Sequence, residues 1–159
     1  MNDMIARASA DQAIASDPAS SAFVSANAGT GKTKLLTDRV LRLLLAGAPA
    51  DGILCVTYTR TAAAEMRNRI FKQLANWATI SATDLGKDLE KMGITTPSQA
   101  LRQRARCLFA EILDNDDGPR VETVHSFCQS ILRRFPIEAG ITPHAKLVED
   151  GEQQRLMAV

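Results

Sequence analysis

A glycine-rich segment that ends in Gly31, Lys32 and Thr33 limits the possible folds of this chain more than any other sequence feature. The segment reads ANAGTGKT over residues 26–33, between a short β-tolerant run and a stretch with helical apolar spacing. Its glycines permit backbone angles that other residues avoid, so successive amide hydrogens can point at one anion beside a helix N-terminus. The segment therefore predicts a phosphate-binding loop between a strand and a helix.

Residue types within this loop match the parts of a bound nucleotide. Lys32 would supply an ammonium group for the β and γ phosphates, and Thr33 would supply a hydroxyl for Mg²⁺. These two are the expected catalytic residues, and Thr33 is the expected metal contact. The expected cofactor-binding residues of the loop are Ala28, Gly29, Thr30, Gly31, Lys32 and Thr33. Ala26 departs from the general pattern, which has Gly there, and a strand-to-helix turn that binds nothing is the alternative interpretation.

The rest of the chain alternates β-rich and helical patterns, which predicts an α/β fold with parallel strands and flanking helices. Strands are expected over residues 21–26, 53–59, 121–127 and 145–148. A first helix is expected from Lys32 to the break at Gly47 and Pro49. The apolar residues expected on one face of a second helix are Ala63, Met66, Ile70, Leu74 and Trp77.

Downstream patterns predict two more helices and leave one stretch with little structure. Residues 79–97 are polar, and at most a short helix is expected there. Residues 101–112 regain helical spacing, and their arginines, Arg102, Arg104 and Arg106, are expected on a solvated face. After the 121–127 strand, a short helix is expected to direct Phe127, Ile131 and Leu132 inward.

Composition excludes several classes of function. The 19 Lys and Arg nearly balance the 18 Asp and Glu, so any nucleic-acid site must be a local patch. Aromatic residues make up 4% of the chain, too few for an extended base-stacking platform. The three cysteines are widely spaced and odd in number, which favours a reducing compartment, and neither a secretory signal nor a membrane span is visible. We expect a soluble cytoplasmic protein.

Two further segments follow the loop in an order that resembles the UvrD/Rep-like superfamily 1 DNA helicases. They read VTYTRTAAAEM over residues 56–66 and TVHSF over residues 123–127. Alanine at the first loop position is common in that family. Within the family, the run over residues 121–140 is most similar to the AddA-type helicase-nucleases of bacterial double-strand-break repair. The similarity extends from about Gln12 to the acidic segment near Glu149.

The resemblance implies a partial RecA-like P-loop NTPase domain that binds ATP and Mg²⁺ and acts on DNA. Gln12 matches the glutamine with which the family reads adenine. The resemblance also implies single-stranded or duplex-end DNA as substrate, with an AddB-like second helicase-nuclease protein as partner. The residues that match the two DNA-contacting motifs are Thr57, Tyr58, Thr59, Arg60, Thr123, His125 and Ser126.

Part of the family's machinery has no match in this sequence. The family hydrolyses ATP with an Asp-Glu pair after an apolar strand, whereas Glu149 and Asp150 here have the reverse order after a short apolar run. We expect an N-terminal piece of a larger enzyme that binds ATP with little hydrolysis. Its expected parts are an adenine-contacting segment over 1–21, a partial ATP-binding domain over 22–148, and the start of an accessory helical region over 149–159.

The residues alone leave two other functions open. A small P-loop kinase would fit the length of the chain, although no basic lid is visible. A non-catalytic nucleotide-binding or DNA-binding module is the second alternative. Several of the singled-out side chains also have ordinary structural interpretations: Tyr58 at a strand end, His125 in a turn, and Glu65 as the partner of Arg69 on a helix surface.

Overall fold

The computed structural model describes residues 11–25, 31–115 and 118–142. Residues 11–15 are helical. The elements that follow are α1 (Lys32–Leu45), a 3₁₀ turn (Ala50–Gly52), β1 (Leu54–Thr57), α2 (Arg60–Thr79), α3 (Ala82–Lys91), α4 (Gln99–Asn115), β2 (Arg120–Thr123) and α5 (Val124–Arg134). Within the described ranges, no helix combines the length and apolar character needed to cross a membrane.

The two strands form a parallel sheet, as the alternating pattern predicts. Leu54 pairs with Arg120 at one end, and Thr57 pairs with Thr123 at the other. Three helices, α2 to α4, make the connection between the strands, as a parallel pair requires. The α/β class with parallel strands and flanking helices is therefore confirmed for the described residues.

Helix α2 lies at the centre of the core. Its five predicted apolar residues, at positions 63, 66, 70, 74 and 77, are its buried residues. The helix packs against α1, α4 and both strands. Leu74 and Trp77 are completely buried, and the periodic spacing of the face explains why one long helix organises the whole core.

The 79–97 stretch contains a better-formed helix than its polar composition suggests. Ser81 caps α3, because its Oγ accepts a hydrogen bond from the Asp84 amide at 3.1 Å. Leu85 and Leu89, one turn apart, are both completely buried. Two apolar residues at the right spacing and a good cap are enough for a ten-residue helix in this setting.

The expectation of a solvated arginine face on α4 is wrong for two of its three residues. Arg104 donates to the Leu44 carbonyl from Nε at 3.1 Å and from a terminal nitrogen at 3.0 Å. Arg106 donates to the Ile80 carbonyl at 2.8 Å. These carbonyls are available as acceptors because the last carbonyls of a helix have no partner within it. The two arginines therefore join α4 to the ends of α1 and α2.

Two strand predictions need correction. Residues 21–25 form no strand, and Phe23 is 95% exposed. A strand requires a hydrogen-bonded neighbour, and within the described ranges the sheet has two strands that pair with each other. The strand expected over 121–127 ends at Thr123, because that side chain caps α5. The strand expected over 145–148 and the region 149–159 lie outside the described residues.

Helix α5 also differs from its prediction. Phe127 is half-buried, whereas Ile131 and Leu132 remain 42% and 40% exposed. None of the residues of this helix is buried. Its contacts are with the two strands, so its amphipathic pattern indicates a helix without fixing what its apolar side faces.

Candidate nucleotide and DNA sites

The predicted phosphate-binding loop ends where α1 begins. Gly31 has φ 87° and ψ 16°, the left-handed conformation, and its carbonyl accepts the Leu35 amide at 3.0 Å. Lys32 and Thr33 are the first residues of the helix and are exposed. The first turn contains no acidic residue, so no carboxylate within that turn offsets the positive end of the helix. Ala28, Gly29 and Thr30 lie outside the described residues.

Gln12 lies beside this helix start. A Cβ added to Gly31 would stand 3.5 Å from Gln12 Nε2, which is ordinary van der Waals contact. The Gln12 carbonyl accepts the Ser16 amide at 3.0 Å within the N-terminal helical segment. The structure therefore brings together the residue expected to read adenine and the glycine that precedes Lys32 in the phosphate loop.

Two arginines of α1 hold the N-terminal segment in this place. Arg39 donates to the carbonyls of Ala15, Asp17 and Ser20 at 3.1, 2.9 and 2.6 Å. Arg42 donates to the Ala13 carbonyl at 2.6 Å and to Ser16 Oγ at 2.8 Å. Sequence reasoning missed both residues, because their three-residue spacing on a helix is equally typical of a solvated face.

The residues of the two motifs expected to contact DNA meet at one edge of the sheet. Thr57 and Thr123 are register partners at the carboxyl ends of β1 and β2. Each strand leads into a helix capped by threonine: Thr59 Oγ1 accepts the Ala62 amide, and Thr123 Oγ1 accepts the Ser126 amide, both at 3.1 Å. Carboxyl ends of parallel strands are where α/β proteins commonly bind ligands.

The side chains at this edge differ in what they present to solvent. Tyr58 is 89% exposed, and Arg60 and His125 are also exposed. In contrast, Thr123 is 7% exposed, and its hydroxyl lies 2.9 Å from Ser126 Oγ. The accessible contact surface of the edge is thus made by Tyr58, Arg60 and His125, while the capping hydroxyls fix the turns that carry them.

Helix α2 connects the two halves of this edge. Arg67 donates to the Val121 carbonyl of β2 at 2.9 Å. On the outer face of α2, Glu65 forms an ion pair with Arg69, the ordinary surface pair that their spacing predicts. A shallow groove runs along that face and is lined by Thr61, Ala64, Glu65, Asn68, Arg69 and Lys72.

Cysteine and acidic residues add no second site in the part of the chain that the structure describes. No group of three or more His, Cys, Asp or Glu side chains there is placed to hold a metal ion. All three cysteines are free. Burial raises the pKa of the Cys55 thiol, whereas Cys128 is exposed on α5.

Comparison with known proteins agrees with this arrangement of sites. Residues 6–159 match the family described as the UvrD/REP helicase N-terminal domain, and the chain belongs to that family. Relatives at about one third identity are each named as the AddA-type subunit of an ATP-dependent helicase/nuclease. The protein from Lactobacillus gasseri is 32% identical over 147 residues, which is 92% of this chain and 10% of the relative.

Two other relatives give the same result. The protein from Lactobacillus acidophilus is 33% identical over 135 residues, covering 85% of this chain and 9% of its own length. The one from Listeria monocytogenes is 32% identical over 137 residues, covering 84% of this chain and 9% of its own length. The chain therefore spans about a tenth of the length of the curated relatives it matches.

Proposed function

We propose that this chain is the N-terminal part of the first RecA-like domain of an AddA-like, ATP-dependent DNA helicase-nuclease, acting in the cytoplasm in double-strand-break repair. The observation that carries the proposal is the contact of Gln12 with Gly31 at the start of α1. It puts a base-reading amide next to the phosphate end of the same site. The family and the named relatives support it independently.

ATP with Mg²⁺ is the cofactor that these residues fit. The left-handed Gly31 and the acid-free first turn of α1 suit an anion. Lys32 would contact the β and γ phosphates, and Thr33 would contact the metal. The Gln12 amide has the donor and acceptor needed for the N7 and N6 positions of adenine. In the whole enzyme, ATP hydrolysis would supply the free energy for movement along DNA.

The edge formed by the ends of β1 and β2 is the proposed DNA contact. Tyr58 would stack on a base, and Arg60 and His125 would meet the backbone of a single strand or a duplex end. Thr57, Thr59, Thr123 and Ser126 would orient these side chains, with hydroxyl contacts to phosphate where they are exposed. In the whole protein, an AddB-like partner would complete the enzyme on the same DNA.

The chain by itself is proposed to bind ATP with little or no hydrolysis. Its sequence contains no Asp-Glu pair after an apolar strand, which is the arrangement that the family uses to activate water. Lys32 and Thr33 would stabilise phosphate charge and hold the metal, but neither would accept a proton from water. Binding and turnover are therefore separable properties in this chain.

A two-ligand binding experiment tests the proposal against its alternatives. A fluorescent ATP analogue with Mg²⁺ and a labelled single-stranded oligonucleotide are titrated separately with the chain. Binding of both, with unlabelled ATP displacing the analogue, is the expected result. Phosphoryl transfer to a small acceptor without oligonucleotide binding would favour the kinase instead. Salt-dependent oligonucleotide binding by a chain that ignores ATP would favour a DNA-binding module.

A further inference from the structure

The N-terminal segment is anchored to α1 by hydrogen bonds from arginine to main-chain carbonyls. Arg39 alone spans three acceptors, at Ala15, Asp17 and Ser20. A guanidinium group has five N–H donors in a fixed fork, so it can serve several carbonyls at once without rearrangement. The acceptors lie at and after the end of the helical segment 11–15, where carbonyls lack partners within the helix.

Arg42 anchors the same segment at positions nearer to Gln12. It donates to the Ala13 carbonyl and to Ser16 Oγ, and Ser16 is itself 2% exposed. The Ser16 amide in turn donates to the carbonyl of Gln12. A continuous series of hydrogen bonds therefore runs from α1, through Ser16, to the main chain of Gln12.

The same helix also carries the phosphate end of the proposed site. Lys32 and Thr33 lie in the first turn of α1, whereas Arg39 and Arg42 lie about two to three turns further along it. A segment anchored to Arg39 and Arg42 is thus held in register with Lys32 by a rigid element. The distance between a base contact at Gln12 and a phosphate contact at Lys32 is fixed by α1.

From this geometry we propose that Arg39 and Arg42 are positioning residues, which set the base contact of Gln12 against the phosphate contacts at the start of α1. The inference rests on the proposed nucleotide function. Neither arginine is assigned a contact with the nucleotide itself. Their effect is confined to the base-dependent part of binding, because the phosphate contacts come from α1 itself.

The test uses Arg39→Lys and Arg42→Lys in the 159-residue chain, since lysine keeps the charge and loses the fork. Affinities for ATP, GTP and inorganic tripolyphosphate are measured with Mg²⁺ present. Each variant is expected to lower the ATP-over-GTP preference by roughly tenfold, the worth of about one hydrogen bond. Tripolyphosphate affinity is expected to stay within about twofold of wild type. Gln12→Ala should give the same pattern.

Arg104→Lys is the matched control. Arg104 also donates to a carbonyl of α1, at Leu44, and its hydrogen bonds within the described ranges do not reach the N-terminal segment. Amide hydrogen exchange over residues 12–20 is measured without nucleotide for every variant. Faster exchange is expected in Arg39→Lys and Arg42→Lys and not in Arg104→Lys. If one of the first two variants unfolds, the other carries the test.

The outcomes separate this inference from the proposed function. Unchanged base preference in both arginine variants, with Gln12→Ala lowering it, would overturn the positioning role and leave nucleotide binding intact. A wild-type chain without affinity for ATP or tripolyphosphate would overturn both. Combining Arg39→Lys with Gln12→Ala should add nothing to the single loss of base preference, since both act through one contact.

Discussion

Thr57 at the end of β1 lies directly opposite Thr123 at the end of β2, in a parallel pair. This register places two sequence segments that are 66 positions apart at one edge of the molecule. Immediately after these partners the chain presents exposed Tyr58 and exposed His125. A single sheet register thus explains how two separate motifs become one surface.

Tyr58 is expected to contribute to DNA affinity through its ring. Tyr58→Ala should weaken binding of a single-stranded oligonucleotide by about 5- to 100-fold, because stacking on one base is worth about 1–3 kcal/mol. Tyr58→Phe keeps the ring and should bind within about twofold of wild type. Fluorescence anisotropy at fixed salt measures both. Equal affinity of the alanine variant and wild type would remove Tyr58 from the contact surface.

Thr123 is expected to matter for stability before it matters for DNA. Thr123→Val removes the hydroxyl that caps α5 and should lower the free energy of unfolding by about 0.5–2 kcal/mol. Thr123→Ser keeps the cap and should lose less. Urea denaturation followed by the fluorescence of Trp77, the single tryptophan, gives the values. A valine variant as stable as the serine variant would show that the cap is unimportant.

Much of the core was predictable, because α2 is long and has an apolar residue at nearly every turn of one face. All five of its predicted core residues are buried. The strand expected over 21–26 was not correctly predicted, since a β-tolerant run becomes a strand only beside a hydrogen-bonded neighbour. The end of β2 was placed too late because the cap at Thr123 depends on one side-chain hydrogen bond.

The candidate site was predictable in its residue types and not in its support. Lys32, Thr33 and Gln12 follow from motif and resemblance, and the structure places Gln12 beside Gly31. The anchoring by Arg39 was invisible, because an arginine on a helix has the same spacing whether its guanidinium group meets water or carbonyls. The arginines of α4 at positions 104 and 106 were misassigned to a solvated face for that same reason.

Gly93 is expected to be less replaceable than Gly47. Both have positive φ, 85° and 97°, so alanine at either position costs about 1–2 kcal/mol of backbone strain. A Cβ at Gly93 would also stand 2.8 Å from Ala13 Cβ, whereas one at Gly47 would meet nothing within 4 Å. Gly93→Ala should therefore lower the free energy of unfolding, measured in urea, more than Gly47→Ala.

Limited proteolysis distinguishes the cause of this difference. Only Gly93→Ala should speed cleavage within residues 12–20, because only that variant displaces Ala13. Equal unfolding free energies and equal cleavage rates for the two variants would contradict the close approach of Gly93 to the N-terminal segment.

The cysteines are expected to react in the order of their exposure. Burial raises the pKa of Cys55, so at a given pH a smaller fraction of it is the reactive thiolate. Iodoacetamide near pH 8 should modify exposed Cys128 first, and Cys55 should gain reactivity only as the pH rises further. Mass spectrometry of timed samples reads the order. In urea the difference should vanish, and its persistence there would rule out burial as the cause.

The most direct measurement of the central claim is the affinity of Lys32→Ala for Mg-ATP, by calorimetry, beside Lys34→Ala. Lys34 forms an ion pair with Asp38 on the same helix and serves as the control for loss of one positive charge. We predict a loss of roughly 10- to 100-fold for Lys32→Ala, the worth of a charge-assisted hydrogen bond to phosphate, and less than about threefold for Lys34→Ala. Full ATP affinity in Lys32→Ala would contradict a nucleotide site at the start of α1.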